Sequence, residues 1–406
     1  MNPILQVINT KDFKKLWFIG TTGMAMRWIE TIALGFYVYS ITKDEFLVGI
    51  MFFFRMAPML LFGAFIGVIS DQYNKKSILK VTLFITSIIY FLLSVSAYFG
   101  TLNYIQICSG AFVAGLAWSF DFPIRRSMLS EIVNKELYSS AIALDMASSN
   151  ISRIIGPIIA GVVLLRVDLF PIYMFGSFLF FIAFITCSKI TEPPKKINNS
   201  KSLSLLKDDL FEGIKYIFKS NLLITVLVVT IIMNSFVFTY QTQLTVLVFQ
   251  NLSNSPVILG ILLGIEGLGA TIATLLIANY PIKNNLPVFL IGSYIFAFCI
   301  LVFTYTHSIF IALSLMLIGG IGMAGFGTMQ SILIISSADR KIRGRVLGIL
   351  AITIGTQPLG AFLLGYFSRE FGSINAVRIS VVFAILTLII ITFVQFKKKL
   401  TNKIIY

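Results

Sequence analysis

Long apolar stretches alternate with short polar or turn-forming segments along almost the whole chain. A helix needs about 20 apolar residues to cross a hydrocarbon core about 30 Å thick. Because no long polar sequence is left over for a soluble domain, the pattern predicts an all-α integral membrane protein. The twelve predicted spans are 16–40, 46–70, 77–99, 103–122, 141–165, 170–189, 222–244, 257–279, 287–305, 308–335, 346–367 and 377–396.

The longest polar segment runs from Lys189 to Ser220 and separates the sixth predicted span from the seventh. We interpret the chain as two six-helix halves joined by a cytoplasmic linker and followed by a basic tail. Within the linker, 205–218 places apolar residues along one helical face, which predicts a short helix at the membrane interface. The predicted boundaries are 1–189, 190–221, 222–396 and 397–406.

The basic residues decide the predicted orientation. The chain is 57% hydrophobic and 12% charged, with a formal charge of +15. In a soluble protein this excess would suggest nucleic acid, but here the Lys and Arg residues lie between apolar runs, which excludes that partner. Positive residues near span ends resist translocation, so the loops richest in them are predicted to be cytoplasmic, together with both termini. Those loops hold Lys75, Lys76, Lys80, Arg125, Arg126, Lys135, Lys283, Arg340, Lys341, Arg343 and Arg345, whereas the outer loops hold little beyond Lys43, Arg166 and Arg369.

The loop between the second and third spans carries a recognisable motif. It resembles the signature loop of the major facilitator superfamily, in which a glycine is followed four positions later by an acidic residue and then by a basic turn. The matching positions are Gly67, Asp71, Lys75 and Lys76. Gln72 and Asn74 depart from the pattern, so the basic residue after the aspartate is missing. A small residue permits close helix approach, and an acid at a helix end accepts charged hydrogen bonds.

A second match covers 122–126 and 150–161. These segments resemble the fourth and fifth spans of the branch that contains enterobactin exporters, macrolide efflux proteins and related secretion transporters. The step from Gly156 to Pro157 is similar to a motif of proton-coupled exporters in the superfamily. Because Pro157 removes a backbone hydrogen bond and Gly156 removes a side chain, a bend and close packing are expected there.

In the second half, 325–330, 343–346 and 357–360 resemble the tenth and eleventh spans of the same branch. Pro358 falls in the span that corresponds to that of Pro157, which indicates two parallel repeats. The resemblance implies a major facilitator fold with twelve transmembrane helices in two pseudo-symmetric halves, and a monomer. It also implies signature-loop and gating roles for Gly67, Asp71, Lys75, Lys76, Gly156, Pro157, Arg343, Arg345 and Pro358.

Ionisable residues inside the predicted spans are candidates for function, because a charge at the bilayer centre costs roughly 2.5–3.5 kcal/mol on insertion scales. Arg27 and Glu30 lie three residues apart on one face of the first span, where they can pair with each other. Such a pair is either static or places Glu30 in proton exchange or substrate contact. Glu266 has no basic residue within one turn, so it is either a proton carrier or a neutral acid hydrogen-bonded to a neighbouring helix.

Three further deep charges can line a transport cavity, namely Arg55, Asp145 and Arg153. Arg153 can equally pair with Asp145 or with a carbonyl group as packing. Asp121, Arg125 and Arg126 lie at the end of the fourth span and are interpreted as gate or loop contacts. The candidate residues for substrate binding or proton coupling are therefore Arg27, Glu30, Arg55, Asp145, Arg153 and Glu266.

The leading hypothesis is a proton-coupled exporter of a small organic or amphipathic molecule, of the drug or siderophore class, in a bacterial cytoplasmic membrane. The chain has no GxxxxGK[ST] phosphate loop, so a proton gradient is the expected energy source. Two alternatives keep the fold, an importer and a flippase for a lipid-like substrate. A membrane enzyme or sensor is disfavoured because no catalytic constellation surrounds the single histidine, His307. The expected partners are a small-molecule substrate, protons and the lipid bilayer, with no cofactor or metal.

Overall fold

A computed structural model describes residues 3–134, 137–165, 168–191, 203–253, 255–279, 284–339 and 342–404. The regular secondary-structure elements in these ranges are all helices. The helices are α1 (Pro3–Asn9), α2 (Lys11–Thr42), α3 (Glu45–Gln72), α4 (Lys75–Tyr98), α5 (Tyr104–Ile132), α6 (Tyr138–Leu164), α7 (Leu169–Ser188), α8 (Leu203–Phe218), α9 (Asn221–Ile232), a π-helix (Met233–Val237), α10 (Tyr240–Asn251), α11 (Pro256–Asn279), α12 (Asn285–Phe303), α13 (Ile309–Ser337), α14 (Arg343–Ile354), α15 (Gln357–Phe371) and α16 (Ser373–Ile404).

Among the described residues, eleven helical stretches are long and apolar enough to cross a membrane. Two of them are composite, 221–251 from α9 to α10 and 345–371 from α14 to α15. The twelfth span is α2, which has 32 residues but carries Arg27 and Glu30 among its apolar side chains. Its length exceeds the roughly 20 residues that a bilayer requires. The predicted twelve-span fold is confirmed, and the most polar span holds two of the candidate site residues.

The composite spans contain breaks that the hydropathy pattern does not predict. The π-helix Met233–Val237 interrupts the seventh span, and α14 ends at Ile354 before α15 begins at Gln357. Pro358 explains the second break, because proline lacks an N–H group and fits the first turn of a new helix. The two breaks contact each other, with the Ser235 hydroxyl 3.0 Å from that of Thr356.

The chain forms two compact units. The first consists of 1–43, 51–200 and 255–264, and the second of 44–50, 201–254 and 265–406. The segment 255–264 of the second half therefore belongs to the first unit, and the segment 44–50 of the first half belongs to the second unit. The predicted domain boundaries at 189 and 222 remain predictions.

Local contacts explain the membership of both segments. In the first unit, the carbonyl of Pro157 lies so close to Gly260 that a Cβ atom there would overlap it. In the second unit, the Glu45 carboxylate accepts hydrogen bonds from Gln250 at 2.8 Å and from Ser373 at 2.7 Å. Backbone contact in one case and side-chain hydrogen bonds in the other thus secure these segments.

The linker helix predicted from residue 205 is α8, which begins two residues earlier and ends at Phe218 as expected. It packs against the start of α14 within the second unit. Glu212 forms an ion pair with Arg345, and the Tyr216 hydroxyl accepts a hydrogen bond of 3.2 Å from the backbone N–H of Asp339. The helical part of the linker is therefore attached to the end of a span.

Candidate functional site

The first unit holds a group of charged side chains inside its spans, which we name the arginine cluster: Arg27 and Glu30 on α2, Arg55 on α3 and Arg153 on α6. Glu30 is only 1% exposed. Its Oε2 atom lies 2.5 Å from Arg55 Nη1, and Arg55 Nη2 donates to the backbone carbonyl of Arg27 at 3.1 Å. A guanidinium held by a carboxylate and a carbonyl joins α3 firmly to α2.

The second carboxylate oxygen of Glu30 is in a different situation. Oε1 is buried, and no group in the described part of the chain donates a hydrogen bond of normal geometry to it. Tyr90 and Tyr173 lie close enough to interact electrostatically with this carboxylate, and their rings pack edge to face at 5.3 Å between centroids. Glu30 is therefore paired on one side and retains acceptor capacity on the other.

Arg27 does not form the ion pair with Glu30 that the sequence suggested. Its guanidinium lies over the Trp118 ring of α5, with Cζ 3.7 Å from the ring centroid. Arg55 takes the carboxylate instead, because its planar fork can bind Glu30 and the Arg27 carbonyl at once. Spacing along one helix predicted that Arg27 and Glu30 are neighbours, whereas a residue on another helix decided which cation binds the acid.

Arg153 belongs to the same cluster through a second tryptophan. Its Cζ atom lies 5.2 Å from the Trp28 ring centroid, and the charges of Arg55 and Arg153 both act on Arg27. The expected packing around Gly156 is confirmed, since a Cβ atom there would lie 2.8 Å from Trp28 Cβ. Helix α6 continues through Pro157.

Asp145, which the sequence grouped with these residues, lies in a separate triad. Arg125 of α5 forms ion pairs with Asp145 of α6 and with Asp121, the latter at 3.2 Å. The Arg125 guanidinium is 1% exposed and lies against Gly20 of α2. Arg125 is therefore the ion-pair partner of Asp145, and eight residues of helix, about 12 Å, separate Asp145 from Arg153.

The signature-loop residues are only partly described. Lys75 Nζ donates to Glu131 Oε1 at 2.5 Å and to the Ser127 hydroxyl at 2.7 Å, which joins the start of α4 to the end of α5. Asn74, one of the departures from the motif, caps α4 by accepting from the Ser77 N–H at 3.2 Å. The Lys76 carbonyl faces the Cys187 thiol at 3.8 Å. Gly67 and Asp71 lie on α3, and their surroundings are outside what the structure describes.

The gating candidates of the second half lie at the N-terminal ends of α14 and α15. Arg345 pairs with Glu212 of the linker helix, and Arg343 donates to the Ala338 carbonyl at 3.3 Å. Pro358 lies in the first turn of α15. These residues position helix ends.

Glu266 occupies the core of the second unit and is fully buried. The Tyr240 hydroxyl donates to Glu266 Oε2 at 2.7 Å and also lies 3.8 Å from the Met316 sulfur. Tyr240 begins α10, directly after the π-helix and its following turn. The irregular backbone thus precedes a tyrosine whose hydroxyl donates to the acid. Single-turn π segments are frequent at functional sites.

Sequence reasoning missed Trp28, Trp118 and Tyr240, which contact the charged candidates directly. One signal was available for Trp28, because it is one of only three tryptophans in the chain and directly follows Arg27. For Tyr240 no comparable signal exists among 15 tyrosines.

Comparison with known proteins shows which family and which transporters this chain is similar to. The profile of a family described as transmembrane secretion effector matches residues 4–404. A staphyloferrin A transporter of Staphylococcus aureus (strain NCTC 8325 / PS 47) is 26% identical over 382 residues, which cover 92% of this chain and 94% of that protein.

Solved transporters share the fold at low sequence identity. The nucleoside transporter NupG superposes with a TM-score of 0.75 at 14% identity, covering 97% of this chain and 98% of that chain. A bacterial homolog of the human lysosomal transporter Spinster gives 0.70 at 12% identity, with 94% of each chain covered. A POT family transporter in complex with 5-aminolevulinic acid gives 0.74 at 12% identity, with 94% and 95% covered. At these identities the likeness concerns the fold alone.

Proposed function

This chain belongs to the transmembrane secretion effector family of the major facilitator superfamily, and we propose that it is a proton-coupled exporter of a small organic molecule of the siderophore or drug class. Its family and fold make it a multi-pass membrane transporter. The family description supports export, and the similarity to a staphyloferrin A transporter supports a siderophore-class substrate.

The buried ion pair between Glu30 and Arg55 carries the proposal of proton coupling. A charge inside a span costs roughly 2.5–3.5 kcal/mol, so a retained pair there calls for a role. Protonation of Glu30 removes the charge that holds Arg55, so a substrate group that binds the ionised pair is released when the proton binds. Proton binding and substrate binding then compete for one pair of side chains, which is the thermodynamic basis of antiport.

Glu266 supplies a second protonation site in this scheme. The Tyr240 hydroxyl stabilises the ionised carboxylate by donating to it, and a protonated Glu266 keeps a hydrogen bond with the same tyrosine. The acid can therefore change its charge without leaving a buried polar group unsatisfied, as a proton carrier requires.

The proposed cycle rocks the two six-helix halves so that the site faces each side of the membrane in turn. We place the protein in the cytoplasmic membrane of a bacterium with both termini inside, since the connections richest in Lys and Arg then remain on the cytoplasmic side.

Glutamine at position 30 or 266 is expected to abolish proton-linked transport, because the amide occupies the same volume without a titratable proton. Purified protein in proteoliposomes would be tested with staphyloferrin A and with amphipathic drugs, and an enclosed pH-sensitive dye would report proton movement. We expect proton movement in the wild type only when substrate is present. Glu131→Gln is the matched control, since Glu131 pairs with Lys75 at a helix end.

Substrate-dependent proton flux that disappears in Glu30→Gln or Glu266→Gln, but not in Glu131→Gln, would support antiport and identify the coupling acid. Substrate movement without any pH change in all four proteins would rule out proton coupling. Inward movement driven by the same gradient would replace export with import.

A further inference from the structure

Glu30 is enclosed by protein, although the proposed function requires it to exchange protons with water. The residue is 1% exposed, and its Oε2 atom is held by Arg55. The other oxygen, Oε1, is buried and receives no hydrogen bond of normal geometry from the described residues. A proton must therefore reach Oε1 through the interior of the first unit, along groups that can each accept and release one.

Tyr173 of α7 places a second buried polar atom beside this carboxylate. Its hydroxyl is buried and has no hydrogen-bond partner within the described part of the chain. The tyrosine interacts electrostatically with Glu30, and its ring packs edge to face against Tyr90 at 5.3 Å between centroids. An acceptor and a donor with free capacity thus lie near each other, and a single water molecule between them would satisfy both.

The packing of α7 against α2 shows where this contact leads. Gly176 of α7 lies against Met26 of α2, because a Cβ atom built on the glycine would be 2.6 Å from Met26 Cε. Tyr173 is one turn before this glycine on α7. Glu30 is about one turn after Met26 on α2. The two helices therefore run antiparallel, so residues later in α2 lie beside residues earlier in α7.

Tyr37 and Asp168 continue the line to the surface. Tyr37 lies seven residues after Glu30, on the same face of α2 and about 10 Å further along the helix. It interacts electrostatically with Tyr173 and with Asp168. Asp168 is exposed and caps α7, where its Oδ1 atom accepts from the Leu169 N–H at 2.7 Å. Two tyrosine hydroxyls thus lie between an acid in contact with water and Glu30.

The other ionisable groups around Tyr173 and Glu30 are less suited to pass a proton. The Cys108 thiol and the Arg55 guanidinium face Tyr173, but a thiol is a weak acceptor and a guanidinium accepts nothing. Arg27 lies one turn before Glu30 on α2, and its positive charge repels a proton that approaches from that end. The end with Asp168 is therefore the favourable entrance. In the proposed orientation it faces the outside, from which an exporter takes its coupling proton.

We infer that Asp168, Tyr37 and Tyr173 form a proton pathway from the outer surface to Glu30. Each hydroxyl accepts a proton from the preceding group and releases its own proton to the next, with water between groups that do not touch. The hydroxyls end unchanged, one proton moves from Asp168 to Glu30 Oε1, and outer water reprotonates Asp168. The inference rests on the proposed function and adds the route of its proton.

The experiment follows the protonation of Glu30 itself and needs no substrate. A caged proton released by light acidifies the purified full-length protein in a neutral detergent. Time-resolved infrared spectroscopy then follows the carbonyl band of the protonated carboxyl group, which is assigned to Glu30 by its loss in Glu30→Gln. Tyr173→Phe and Tyr37→Phe each remove one hydroxyl and keep the ring. Asp168→Asn removes the titratable group and keeps a residue that caps helices well.

Tyr294→Phe is the matched control. Tyr294 is a partly buried tyrosine of α12 in the second unit, and its hydroxyl lies 2.9 Å from Thr392 Oγ1. This variant loses a hydrogen bond between two helices, whereas Tyr173→Phe loses none within the described part of the chain. A purely structural effect would therefore be larger at position 294 than at position 173.

Tyr173→Phe is expected to slow protonation and deprotonation of Glu30 about tenfold each, the rate equivalent of one hydrogen bond. Because both rates fall together, the pH of half-protonation should stay near that of the wild type. Tyr37→Phe and Asp168→Asn should also slow both rates, and Tyr294→Phe should leave them unchanged. Thermal unfolding of Tyr173→Phe should begin no earlier than that of the wild type, because a buried hydroxyl without a described partner is lost.

Unchanged rates in Tyr173→Phe would overturn the inference, and so would a shifted pH of half-protonation without a parallel fall of both rates. Tyr37→Phe repeats the test if Tyr173→Phe does not fold. Substrate-linked proton flux in proteoliposomes that keeps its wild-type rate in all three pathway variants would remove the pathway and leave the proposed function intact. Slower protonation of Glu30 in these variants, without substrate-linked flux in the wild type, would do the opposite.

Discussion

Arg125→Gln is expected to destabilise the first unit by about 3–5 kcal/mol, because it removes the common partner of two acidic side chains. Arg125 is 1% exposed and forms ion pairs with Asp121 and Asp145, whose side chains are 15% and 7% exposed. Without the guanidinium, two carboxylates would face each other without their common ion-pair partner. The variant should therefore unfold at a lower fraction of SDS in mixed micelles, as followed by the loss of helical circular dichroism.

Neutralising the acids tests the cause. The triple variant Arg125→Gln, Asp121→Asn, Asp145→Asn carries no charge in the triad and is expected to recover much of the lost stability, since neutral groups tolerate burial better than unpaired charges. Lys75→Gln is the matched control, because its pair with Glu131 is 21% and 26% exposed and such pairs contribute about 0–1 kcal/mol. If Arg125→Gln costs no more than Lys75→Gln, the triad does not stabilise the unit.

Gly115→Ala is expected to lower both stability and transport. A Cβ atom on Gly115 of α5 would overlap the carbonyl oxygen of Arg55 on α3 and lie 2.9 Å from its carbonyl carbon. Backbone cannot move aside as a flexible side chain can, so α3 must shift, at a cost of about 1–3 kcal/mol. The shift would also displace Arg55 from Glu30, where Nη1 and Oε2 are only 2.5 Å apart. Packing and the arginine cluster are therefore affected together.

Gly23→Ala is the comparison variant, and its expected effect on stability is opposite to that of Gly115→Ala. Gly23 lies on α2, and no heavy atom is found within 4 Å of a Cβ built there. Alanine is favoured over glycine inside a helix by about 0.5–1 kcal/mol, so this variant should be equally or more stable. The same SDS titration and the proteoliposome assay measure both variants. Equal behaviour of the two would mean that the approach of α5 to α3 is not a constraint on this protein.

Hydropathy predicted the spans because the requirement of the bilayer applies to each helix separately. A stretch that is apolar and long enough is suited to cross, whatever its neighbours are. The span predicted at 103–122 corresponds to the first part of α5 (Tyr104–Ile132), and the helix continues for ten more residues that include Arg125. The interruptions at Met233–Val237 and after Ile354 were not predictable in this way, since each lies inside a stretch that as a whole is long and apolar enough to cross.

Candidate charges were recognisable from the cost of placing them in a membrane, but their partners were not. Glu30 and Arg55 are 25 residues apart and pair through the packing of α3 against α2. Arg27, three residues from Glu30, binds a tryptophan ring on α5 instead. Asp145 and Arg153 share one helix, but Asp145 belongs to the triad and Arg153 to the arginine cluster, because Arg125 of α5 forms the ion pair with the aspartate.

The amino-acid sequence by itself determined the membrane character of this protein, its twelve spans and the identity of its buried ionisable residues. These properties follow from the solvation of each segment, which depends on the segment's own length and composition. The tertiary structure alone decided that Glu30 binds Arg55, that Tyr240 donates to Glu266 and that two arginines lie over tryptophan rings. Interactions of this kind extend over only a few ångströms, so they depend on which helices lie side by side and how each one is rotated about its axis.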